Sequence, residues 1–105
     1  QSTLTALAGA CSEVTEYMIG APVDDRLAGS YAYTTMMAVA TSGWLMLKQL
    51  RSAEAEGAKT PFLKAKIVAC RYYLDVMVPE ALSLKGSAMA GAELLYALDA
   101  EGLAA

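Results

Sequence analysis

Histidine is absent from this chain. That removes the commonest general base and the commonest metal ligand. Charge is also scarce: Asp, Glu, Lys and Arg make up 18% of the residues, where globular chains carry roughly 25%. The net charge is −3 and no basic stripe is present, which argues against nucleic acid and anionic membrane surfaces as partners. Only 3 prolines interrupt the chain and β-branched residues are few, so a sheet-rich fold is not expected. The 2 cysteines, Cys11 and Cys70, have no CxxC spacing. Both fall on apolar faces of predicted helices and read as buried free thiols, with a disulfide between them as the alternative. No glycine-rich phosphate loop occurs. Glu13 and Glu16 have the i, i+3 spacing used in di-iron bundles, but the histidines such a site needs are missing. Serine, threonine and cysteine are present without a base to activate them. No catalytic, cofactor-binding or metal-ligating residue is therefore assigned.

What remains is apolar. In 105 residues, 56% are hydrophobic, which excludes intrinsic disorder and allows one domain. Alanine, leucine and methionine dominate, and these are helix formers. Leu4, Leu7, Cys11, Val14 and Met18 recur at steps of three and four and predict a helix over residues 2–19. Gly20 and Pro22 end it. A polar connector follows, in which Asp24 and Asp25 offer caps. A second helix is predicted over 28–55, with Ala32, Met36, Val39, Gly43, Leu47 and Leu50 on its main stripe. Glu56-Gly57 closes it, and Thr60-Pro61 opens a third helix as N-cap and N1. That helix places Leu63, Ile67, Cys70, Leu74 and Met77 inward. Pro79 is expected to kink or end it. A fourth helix is predicted over 84–98 from Leu84, Ala88, Gly91, Leu95 and Leu98. The six methionines fall on or near these stripes as core residues. The fold expected is all-α, an antiparallel up-and-down four-helix bundle forming a single domain over residues 1–105.

The second helix carries one face too many. Beside its main stripe runs another, Tyr33, Met37, Ala40 and Trp44. A helix apolar on two faces is buried on two sides, so these four residues are expected to form an interface with a neighbouring domain or a second subunit. Residues 27–47 carry no charge, a length near that of a membrane span. Seven serine, threonine and tyrosine residues within it favour a buried central helix instead.

Three segments, taken in order, resemble a known family. They are GSYAYTTMMAVATSGWLMLKQL at 29–50, FLKAKIVACRYYLDVMVPEALSL at 62–84 and AGAELLYALD at 90–99. The most specific elements are Gly43-Trp44, Ala65-Lys66, Arg71-Tyr72, Pro79 and Gly91-Ala92-Glu93. Together they resemble the extra C-terminal helical domain of long bacterial acyl-CoA dehydrogenases, described as acetyl-CoA dehydrogenase C-terminal-like. The resemblance implies a parent flavoenzyme that introduces a 2,3 double bond into an acyl-CoA thioester, with a glutamate base and FAD in an upstream catalytic body. None of those functional residues maps onto this chain, so the resemblance implies a noncatalytic domain. Its implied partners are the catalytic body or a second subunit of a cytoplasmic homo-oligomer. A chain that begins at Gln1 fits a piece of something longer. The alternative reading is a stand-alone homodimeric module zipped through its helical stripes.

Overall fold

The computed structural model describes residues 2–104, and every regular element among them is helical. Helix α1 spans Ser2–Gly20 and α2 spans Val23–Ala55. Helix α3 spans Pro61–Tyr72 and runs into a π turn, Tyr73–Met77, and then α4, Val78–Leu82. A single turn α5, Lys85–Ala88, a 3₁₀ turn, Glu93–Tyr96, and α6, Ala100–Ala104, complete the chain.

Helix α2 is the spine, and its 33 residues reach about 50 Å at 1.5 Å per residue. It begins at Val23, five residues before the expected start. Asp24 and Asp25 are not caps; they occupy the first turn, where negative charge faces the positive end of the helix dipole. Helix α1 packs antiparallel along one flank of α2. Met18 meets Gly29 at one end, Thr15 meets Tyr33, and Leu4 meets Gly43 at the other.

The other flank takes residues 61–92 in a second antiparallel run. Cys70 Sγ lies 3.9 Å from Met46 Sδ, Val78 packs on Gly43, Ala88 on Gly29, and Ala92 reaches Asp25. Thr60 caps α3 as expected, its hydroxyl accepting from Leu63 N–H at 3.2 Å with Pro61 at N1. The three rods close on a core of Leu7, Val14, Met36, Cys70 and Val78. Both cysteines are buried and free.

The structure decides one expectation left open and corrects another. Of the two outcomes expected at Pro79, a kink or an end, the helix does not end. The backbone widens to a π turn just before it, with Val78 N–H bonded to Tyr73 O. That wider turn accommodates the proline ring and its missing donor. The extra residue also rotates Val78 into the core in place of Met77, which is exposed. The helix expected over 84–98 is not one rod either. It stops after Ala88, and the chain turns at Gly91 with φ +78°, a conformation glycine adopts freely. Ala92 N–H then donates to Asp25 Oδ1 at 2.9 Å, tying the turn to the start of α2. An ion pair between Lys85 and Glu13 holds α5 to α1. Beyond this tie Leu94, Leu95, Tyr96, Leu98 and Leu103 are all exposed.

The result is thin and long, 64 × 31 × 16 Å with a radius of gyration of 18.5 Å. A compact chain of this length has a radius near 13 Å. The accessible surface is 6985 Å², where a compact monomer of 11.0 kDa exposes roughly 5,600 Å². The surplus is therefore surface that a compact fold would have covered.

Candidate interaction surface

The stripe singled out in the sequence lies on the flank of α2 that faces α1. Between the two helices runs an open groove. One hollow is lined by Ala8, Cys11, Met37 and Ala40, with Ser12, Thr15 and Glu16 at its edge; the next is lined by Leu4, Ala8, Ala40, Trp44 and Leu47, with Thr5, Thr41 and Arg51 at its edge. Ala8 and Ala40 belong to both, so the hollows form one continuous floor. The floor is low because these two side chains are single methyl groups. Met37 and Trp44 rise beside it, 42% and 54% exposed.

Tyr33 closes one end. Its hydroxyl lies 2.6 Å from Thr15 Oγ1, and that threonine donates its own proton to Cys11 O at 2.8 Å. With that proton committed, Tyr33 is the donor of the pair. The tyrosine ring is thereby fixed, and its polar tip is satisfied within the protein rather than by water. At the other end Lys48 Nζ sits 4.2 Å above the Trp44 ring centroid, a cation–π contact that steadies an otherwise half-exposed indole. All four predicted residues thus border one groove: Met37, Ala40 and Trp44 line it, and Tyr33 braces it.

The chemistry available along this groove is recognition by an apolar floor, with Glu16 beside one hollow and Arg51 beside the other. No charged or polar side chain is buried among the described residues, and no three His, Cys, Asp or Glu residues there gather into a metal-ligating group. Burial pushes the Cys11 thiol above its ordinary pKa, so at neutral pH it stays protonated and unreactive. No helix among the described residues is long and apolar enough to cross a membrane.

Sequence reasoning missed a second exposed surface. Leu27, Tyr31 and Leu45 project from the side of α2 away from the core, and Phe62, Val68, Tyr72 and Val76 stand exposed on the third rod. For the residues on α2 the signal was visible as an uncharged stretch from 27 to 47, which was assigned to burial.

No curated protein and no solved structure matches the chain. One family model does, and it covers residues 1–99. It takes in all three rods, the groove and the Gly91 turn. The chain belongs to the family described as Acetyl-CoA dehydrogenase C-terminal like.

Proposed function

We propose that this chain is the noncatalytic C-terminal domain of an FAD-dependent acyl-CoA dehydrogenase, acting in domain packing and oligomer stabilisation. The parent reaction is 2,3-dehydrogenation of an acyl-CoA thioester. The observation that carries the reading is the groove: a preformed apolar surface on a chain that belongs to this family and offers no acid–base constellation. The start of α2 does not fit the pyrophosphate of FAD. The N-terminus of that helix holds Asp24 and Asp25, which repel a pyrophosphate where a dinucleotide site would attract it. FAD is accordingly assigned to the catalytic body of the parent, a cytoplasmic bacterial enzyme.

In this reading the groove between α1 and α2 receives a helix of the catalytic body or of a second subunit. That helix lies over Ala8 and Ala40 between Met37 and Trp44. It would add a fourth rod to the three that the chain itself supplies. The test is Trp44→Glu in the full-length dehydrogenase. A charge placed at a desolvated tryptophan position is expected to cost about 2 kcal/mol or more of interface energy. Thermal melting should fall and oligomers should dissociate, while kcat and FAD content of the assembled enzyme stay unchanged. A variant with wild-type melting and assembly would sink the reading.

A further inference from the structure

The solvent side of α2 carries a second periodic feature, which meets the groove at Thr41 alone among its six residues. Leu27, Tyr31, Thr34, Ala38, Thr41 and Leu45 follow one another at steps of four, three, four, three and four. That is the a/d spacing of a coiled-coil seam. All six are exposed, Tyr31 at 81% and Leu27 at 66%. The opposite side of the same helix is the core, through Ala32, Met36, Gly43 and Leu50. The next seam positions outward are Asp24 and Lys48, both exposed and opposite in sign.

We propose that this seam pairs with the same seam of a second copy of the chain, antiparallel, about a two-fold axis level with Met36. In antiparallel coils an a residue meets a d residue of the partner. Here that places Leu27 against the partner's Leu45, Tyr31 against the partner's Thr41, and Thr34 against the partner's Ala38. Leucines sit at both ends, and the small residues at the centre let the backbones approach. One step further out, Asp24 meets the partner's Lys48, and symmetry repeats the ion pair at the other end. A parallel pairing would instead set Asp24 against the partner's Asp24 and Lys48 against the partner's Lys48.

Three observations select a second copy as the occupant. The seam is self-complementary in size and in charge under one two-fold operation, as an isologous contact requires. No charge interrupts it between residues 27 and 47. The chain also exposes 6985 Å², which exceeds a compact monomer's roughly 5,600 Å² by more than the ~800 Å² that each partner contributes to a standard interface. The pairing rests on the reading that this domain works through its exposed apolar surface; its axis lies on the solvent face of α2, and it adjoins the groove at Thr41 and at Lys48, which also stands over Trp44.

The experiment is sedimentation equilibrium of the 105-residue chain, with circular dichroism as a check on folding. The chain is expected to be a dimer. Ala38→Arg, a change at an exposed position, is expected to yield a folded monomer. Asp24→Lys alone removes both symmetry-related pairs and should weaken the dimer by about two- to thirtyfold. Asp24→Lys with Lys48→Asp should restore it. Leu27→Cys with Leu45→Cys should oxidise to a linked dimer, while Leu45→Cys alone should not. The native Cys11 and Cys70 are buried and do not compete. A chain that stays monomeric at every concentration overturns the pairing. So does a dimer indifferent to Ala38→Arg, or one cross-linked through Leu45→Cys alone. If Trp44 is still needed for assembly of the full-length enzyme in that event, the docking reading stands without the pairing.

Discussion

Gly29→Val is expected to cost the domain about 3 kcal/mol and to lower its melting temperature by roughly 10–20 °C. Gly29 is where three elements cross. A side chain built there would overlap the carbonyl oxygen of Ala88 and come within 2.9 Å of Met18 Cε. The methionine end can swing away. The Ala88 carbonyl cannot, because α5 is held by the Lys85–Glu13 pair on one side and by the Asp25–Ala92 bond on the other. Valine therefore forces α5 off α2 or α1 off both. Urea unfolding of the purified chain measures the loss. Gly20→Ala is the control: its added methyl meets nothing within 4 Å, and a comparable loss there would show that the crossing is not the cause.

Met36→Ala is expected to cost about 2–5 kcal/mol, the usual range for emptying a core site of this size. Met36 is fully buried, as are Leu7, Val14 and Val78 in the same cluster. The three rods meet around it. In a sheet of helices only 16 Å thick the core is one layer deep, so few neighbours are free to collapse into the void. Met37→Ala, one residue on, removes a side chain of identical size from the exposed flank. In the isolated chain it should change stability by about 0.5 kcal/mol or less. Chemical denaturation of the two variants side by side gives the contrast. Equal losses would contradict the placement of the two methionines.

The contrast between Met36 and Met37 also shows how much the sequence conveyed. Helical period alone separated the buried residue from the exposed one, and it placed Tyr33, Met37, Ala40 and Trp44 on one flank. The caps of α3 were legible for a similar reason, since Thr60 and Pro61 act locally. What was not legible depends on contacts between distant residues. Asp25 reads as a polar connector until Ala92 is found at its carboxylate, and the Gly91 turn is stabilised by that same bond. The apolar period continues through Leu95 and Leu98, so the pattern predicted a helix where the backbone had already turned away. Pro79 left a kink and an end both open, because the π turn before it is a compensation that the proline itself does not encode. The back of α2 was misassigned for want of a count of neighbours. An uncharged stretch predicts burial, and with three rods among the described residues, none of them covers that side.

The central claim is that this domain works by presenting a preformed apolar groove to a larger assembly. Hydroxyl-radical footprinting of Met37 and Trp44, in the 105-residue chain and in the full-length dehydrogenase, tests it most directly. Both side chains are exposed here, and Met36 beside them is buried and serves as the internal reference. The account predicts that Met37 and Trp44 are oxidised readily in the separate chain and protected in the full-length enzyme, with Met36 protected in both. Equal oxidation of Met37 and Trp44 in the two samples would contradict it.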